Sequence, residues 1–161
     1  MRFIKFLIIA VTIFALLNIR LTVQGLEVAA PEETINYTQA KYDIKETVRG
    51  SIEDEAWMKS RSREEVHSSL GRYFTGFLLE DLSDRSWAFV SEHTDWYCRA
   101  KLVDMAFIYD DGSRVVLEAL IGIDDLENGH TEFGRGLYGL IKTEGGWKIN
   151  YSAFDWNNGD E

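Results

Sequence analysis

The sequence predicts an α+β domain in which two N-terminal helices pack on a curved four-stranded antiparallel sheet. Three observations carry that expectation: a capped segment with helical apolar spacing near residue 63, an unbroken series of alternating runs from 96 to 156, and turn chemistry between those runs.

The first helix is announced by Ser62-Arg63-Glu64-Glu65, a capping box, followed by Val66, Leu70, Tyr73, Phe74, Phe77 and Leu78. This spacing predicts a helix over about 63–80 that tolerates Gly71 and Gly76, each costing about 1 kcal/mol relative to alanine. Two such glycines in a strong helix imply that another element comes close. Ser83 is placed to cap a shorter second helix, DRSWAFVSEH, burying Trp87, Val90 and Phe89. Upstream, residues 26–58 are polar and weakly periodic. They read as a linker containing the single proline, Pro31, with a short helix over 51–59 capped by Ser51.

The strands follow without a break. The run 96–109 is too long for one regular strand, because Cys98, Ala100 and Leu102 share one phase while Met105, Phe107 and Tyr109 share the other. A bulge near Val103–Asp104 reconciles them and turns Asp104 outward. Asp110-Asp111-Gly112 makes a turn into the second strand, whose inward set is Val115, Leu117, Ala119, Ile121 and Ile123. After the loop DDLENG, the third strand is expected to turn Phe133, Arg135, Leu137, Gly139 and Ile141 to one face. Gly134, Gly136 and Gly139 mark bending or a close neighbour. A Gly145-Gly146 turn then opens the fourth strand, with Trp147, Ile149, Tyr151 and Ala153 inward.

Residues 1–25 carry Arg2 and Lys5, an apolar run from Phe6 to Leu17, and then Asn18 and Arg20. That run is shorter than the roughly 20 residues a membrane-spanning helix needs and matches the core of an export signal. Val23 and Gly25 suit cleavage before Leu26, and retention as an N-terminal membrane anchor is the competing reading. Both place the domain outside the cytoplasm, secreted, periplasmic or anchored. All 27 acidic residues lie beyond residue 25, against 17 basic residues in the whole chain, for a net charge of −10. So acidic a surface repels nucleic acid and anionic headgroups. The lone Cys98 cannot form an internal disulfide and reads as a strand cysteine.

The order helix, short helix, four long antiparallel strands resembles the nuclear transport factor 2-like (cystatin-like cone) superfamily. The residues that carry the resemblance are REEVHSSLGRYFTGFL, DRSWAFVSEH and the closing GLIKTEGGWKINYSAF, over about 60–156. It implies a cone-like domain over 59–157, followed by an acidic tail at 158–161. Members include ketosteroid isomerase-like enzymes, ligand carriers and exported domains that dock into envelope assemblies, and a leading apolar segment before one cone domain is most similar to the last group.

An isomerase-type cone needs a carboxylate base and an oxyanion donor in an apolar pocket. On the strand phases above, the inward polar residues are Arg135, Tyr151 and Asp155, the ligand-pocket candidates, with solvent-exposed strand ends as the plainer alternative. The aromatic residues Phe154 and Trp156, together with Trp96 and Tyr97, are the candidates for contact with a protein partner or a second copy. No catalytic residue, metal site or cofactor is assigned. His67, His93 and His130 are far apart in sequence, DDLENG lacks calcium-loop spacing, and GRG at 134–136 is not followed by Lys-Ser/Thr. The favoured expectation is an exported, non-enzymatic domain that binds a protein partner or self-associates at the cell envelope. A small-molecule-binding or isomerase/lyase-type cone is the alternative.

Overall fold

The computed structural model describes residues 31–92 and 97–156, and the chain divides into Met1–Tyr37 and Thr38–Glu161, the core lying in the second unit. Three α-helices, α1 (Pro31–Glu53), α2 (Arg63–Leu70) and α3 (Gly76–Ser91), precede four strands, with a 3₁₀ turn at Ala56–Lys59 between α1 and α2. The strands β1 (Cys98–Asp110), β2 (Arg114–Asp125), β3 (Thr131–Thr143) and β4 (Gly146–Trp156) form one antiparallel sheet in the order β1-β2-β3-β4. The α+β class and the curved four-stranded sheet are as the sequence predicts, with three α-helices among the described residues in place of two.

The largest correction is α1. The stretch read as a linker is a 23-residue helix whose Ile44 and Val48 are core residues and whose Ile52 packs against that core. These three residues stand at i, i+4 and i+8, one per turn. So thin a stripe vanishes in a polar average. Pro31 begins this helix, where a missing N–H breaks no hydrogen bond and a fixed φ suits the geometry. Ser51 caps nothing, because its hydroxyl donates to the Val48 carbonyl at 2.7 Å inside α1.

The helix expected over 63–80 is two helices. Its capping box forms in part: Ser62 Oγ accepts from Glu65 N–H at 3.2 Å, while Glu65 Oε2 accepts from Arg61 N–H at 2.7 Å, one residue before the cap. The break at 71–75 follows from β4. Ile149 N–H donates to the Tyr73 carbonyl at 2.8 Å, and Thr75 N–H donates to the Ile149 carbonyl at 3.0 Å. Lys148 Nζ donates to the carbonyls of Gly71 and Arg72 at 2.8 and 2.7 Å, satisfying groups orphaned by the helix end. Burial pushes the Lys148 ammonium below its ordinary pKa. Of the segment 84–93, expected to form a helix capped by Ser83, residues 84–91 belong instead to α3, and His93 lies outside the described residues. Ser83 lies in the interior of α3, fully buried, with its hydroxyl donating to the Leu79 carbonyl at 2.7 Å.

α1 is joined to that break at one close contact. A Cβ on Gly50 would lie 2.3 Å from Tyr73 Cε1, so only glycine admits the ring. Tyr73 Oη donates to Asp54 Oδ2 at 2.7 Å, and Arg72 closes the cluster with an ion pair to the same oxygen at 2.6 Å. Partial burial alone raises the Asp54 carboxyl pKa, but hydrogen bonds from Tyr73 and Ala56 N–H, with the Arg72 charge, bring it below its ordinary value.

The bulge expected near Val103–Asp104 is present, since the β1–β2 register skips Val103 between Leu102 and Asp104. A second irregularity leaves out Ile108 and turns Tyr109 away from the phase of Phe107. β2 presents Val115, Leu117, Ala119 and Ile121 to the core as expected. β3 has the reverse phase to that expected: Gly134, Gly136, Tyr138 and Leu140 face inward and are buried, while Phe133, Arg135, Leu137, Gly139 and Ile141 face outward. Counting apolar side chains favoured the odd set because two of the inward positions are glycines. In β4, Trp147 and Ile149 are buried as expected. A bulge at Asn150 then shifts the register, pairing Gly139 with Tyr151 and Leu140 with Ile149. Every residue after Asn150 therefore faces the side opposite to the one expected.

Ile44→Ala should lower stability by about 2–5 kcal/mol in urea denaturation, as for a buried core residue; a change near zero would return this segment to a linker. Gly50→Ala should destabilise the native chain by roughly 1–3 kcal/mol through the clash with Tyr73. In a Tyr73→Ala background, the same substitution should stabilise by about 0.5–1 kcal/mol, the ordinary gain for alanine in a helix. An unchanged sign would contradict the contact.

Candidate functional site

The concave face of the sheet holds a cavity of about 210 Å³ between α1, the 71–75 break and the strands. Its wall is almost wholly apolar: Ile52 from α1, Phe74 from the break, Ala100, Ile121 and Ile123 from β1 and β2, with Tyr138 and Phe154 from β3 and β4. Ser51 and Ser152 contribute hydroxyl-bearing side chains. The curvature that opens this space comes from the bulged β1 and from Gly136. A Cβ at position 136 would stand 2.8 Å from Tyr138 Cε2 and 3.0 Å from Phe154 Cε1. Without it, the two rings lie over the backbone in an edge-to-face pair, centroids 5.7 Å apart and planes at 90°. Tyr138 is 2% exposed, and burial drives its phenol pKa far above the ordinary value, so the group stays neutral at any physiological pH.

The bulge at Asn150 exchanges the two sets of candidates. Arg135, Tyr151 and Asp155, expected in the pocket, lie on the convex face and line none of the cavity. Arg135 is exposed and pairs with Glu118 at 2.6 Å beside a shallow hollow with Asp104 and Leu120. It stands opposite Asp155 in the strand register, and Tyr151 is 53% exposed two steps further along. Phe154, expected as an outward partner contact, instead forms part of the cavity wall while remaining 51% exposed at its rim. Tyr97 is exposed just before β1, its carbonyl accepting from Leu126 N–H at 2.7 Å. Trp96, His93 and the Trp156 side chain lie outside the described residues. Sequence reasoning missed Ile52, Ala100 and Ser152. The stripe Ile44–Val48–Ile52 pointed to the first; nothing in the even alternation of KINYSAF marks the bulge that turns Ser152 inward.

Other titratable groups stand apart from the cavity. His67 Nε2 meets Glu80 Oε1 at 3.0 Å between α2 and α3, with Arg63 bridging Glu80 and Asp84. Asp111 accepts from Ser113 and Arg114 N–H groups, from Ser113 Oγ and from Tyr109 Oη, which hold its carboxyl down to about 2 and fix the β1–β2 turn. Cys98 is half-buried on β1. Among the described residues, no group of His, Cys, Asp and Glu is gathered as a metal site.

No protein-family model and no curated protein matches the chain. Solved structures do. An NTF2-like protein with a cystatin-like fold from Novosphingobium aromaticivorans superposes with a TM-score of 0.55 at 11% identity, covering 84% of this chain and 94% of that one. A nuclear transport factor 2-like superfamily protein from Salmonella enterica serovar Typhimurium gives a TM-score of 0.53 at 15% identity, covering 78% of this chain and 99% of that one. At such identities the likeness speaks for architecture alone. Helices gathered on the concave side of a bulged antiparallel sheet, with a cavity beneath them, give this chain the NTF2-like cone fold.

Proposed function

We propose that this chain is an exported, non-enzymatic cone domain that works by binding, taking a small neutral apolar group into its concave cavity. The observation that supports this most is the composition of the cavity wall, in which the residues that meet the space are aliphatic or aromatic apart from two serines. Proton transfer at carbon needs a carboxylate or imidazole within hydrogen-bond reach of the substrate. Among the described residues the wall offers neither, and its phenol, Tyr138, is held neutral by burial. Burial of an apolar group contributes roughly 25 cal/mol per Å² without any polar chemistry.

Two occupants fit. The first is an apolar side chain of a protein partner at the cell envelope, the reading favoured by the apolar N-terminal segment. Export rests on that segment, residues 1–25; among the described residues, no helix is long and apolar enough to cross a membrane. The second is a free small molecule. Size favours it, since cavities of roughly 150 Å³ hold benzene and this one is about 210 Å³.

Indole serves as a probe for either occupant. Calorimetry should detect saturable binding of indole to the full chain, and Ala100→Phe, which fills the space from β1, should abolish it while the fold persists by circular dichroism. Binding by Ala100→Phe equal to that of the native chain would remove the cavity as the recognition site.

A further inference from the structure

The wall of the cone cavity contains one buried polar group that the protein itself leaves unanswered. Tyr138 is 2% exposed, yet among the described residues no carboxylate, carbonyl or hydroxyl hydrogen-bonds to its phenol, whose raised pKa has burial as its sole cause. A hydroxyl sealed in hydrocarbon without a partner costs free energy that folds ordinarily avoid. Tyr138 Oη is not sealed. Among the described residues, no fully buried side-chain oxygen or nitrogen lacks a partner, so this oxygen still meets open space. The space that Tyr138 lines is the cavity of about 210 Å³.

The ring that carries the hydroxyl is fixed in place. Gly136 leaves a gap in which Tyr138 Cε2, Phe154 Cε1 and Ile121 Cδ1 lie 2.8, 3.0 and 3.2 Å from where a Cβ would stand. Phe154 meets the tyrosine ring edge to face from β4. The two serine hydroxyls of the wall are placed differently. Ser51 Oγ donates its proton to the Val48 carbonyl, and Ser152 is only half-buried. Among the described residues no charged side chain lines the cavity, so an anion or an ammonium entering it would lose its hydration without compensation.

Resting on the reading that this cavity binds, we infer that its ligand is a neutral, mainly hydrocarbon molecule bearing a carbonyl oxygen, to which Tyr138 Oη donates a hydrogen bond. A phenol is a better donor than acceptor, because its lone pairs are drawn into the ring. In an apolar wall such a bond is strengthened, and a ligand without an acceptor leaves the hydroxyl unsatisfied. The hydrocarbon part of the ligand is held by buried area, while the single directional bond sets its orientation. A purely apolar side chain of a protein partner carries no such oxygen. Of the two occupants, this chemistry suits the free small molecule, and Tyr138 determines which one enters.

Indane and indanone, one bicyclic frame without and with a ketone, are the probes. Calorimetry on the full chain gives the ratio of their dissociation constants. Tyr138→Phe should move that ratio roughly ten-fold against the ketone. The carbonyl stretching band of bound indanone should lie at lower frequency in the native chain than in the variant. Because no group of the protein takes this hydroxyl, the urea midpoint of Tyr138→Phe should not fall. An unchanged ratio, a carbonyl band that the substitution does not move, or a lowered midpoint would each overturn the proposal. Binding of both probes with an unchanged ratio leaves the cavity reading standing and removes the role of Tyr138 alone. Binding of neither probe by either protein removes both.

Discussion

Ile149 pairs on both sides. Toward the sheet it stands opposite Leu140 of β3; on its outer edge its N–H and C=O are both taken by the break between α2 and α3. A strand edge left open would be a row of unpaired polar groups, and a helix end left bare would be another. Here each satisfies the other. Lys148 adds two hydrogen bonds to the carbonyls of Gly71 and Arg72, just past the end of α2. The consequence reaches across the molecule: the break holds Phe74 over the concave face and swings Tyr73 onto Gly50, which fixes α1 against the rest of the core.

From that anchoring, the division of the sheet into two faces follows. Immediately after Ile149 comes the bulged Asn150, and the remaining residues of β4 change sides. Phe154 and Ser152 become part of the cone wall, while Tyr151 and Asp155 join Arg135 on the convex side. One inserted residue thus decides between a polar pocket and an apolar one. An Arg–Asp–Tyr constellation beneath the helices would have been a plausible acid–base site. An apolar cavity edged by an aromatic pair is suited to holding a neutral group.

The sheet was the legible part of the sequence, and its first strand was read down to the bulge at Val103, because Asp104 in an apolar phase demanded one. The phase of β2 was equally plain from five alternating aliphatics. β3 was opaque for a physical reason. Its inward positions include Gly134 and Gly136, which have no side chain to count, while its outward positions are apolar enough to pass for a core face. The helices failed differently. α1 buries few large side chains per turn and owes its place to tertiary contact, so local periodicity undersold it. The 63–80 segment carried a sound helical pattern, and only the pairing with Ile149, remote in sequence, interrupts it. The site inherits these errors: Arg135, Tyr151 and Asp155 are expected on the concave side and Phe154 on the convex side, and the sheet places them the other way round.

The central claim is that recognition happens on the concave face, at the wall shared by β1, β2 and β4. Methyl groups report it directly, since alternate residues point to opposite faces. In a methyl carbon–proton NMR spectrum of the full chain titrated with indole, the signals of Ala100, Ile121 and Ile123 should move together and saturate. Those of Ala106, Leu137 and Ala153, on the convex side beside Glu118 and Arg135, should stay in place. Movement centred on the second group, with the first unmoved, would contradict the account.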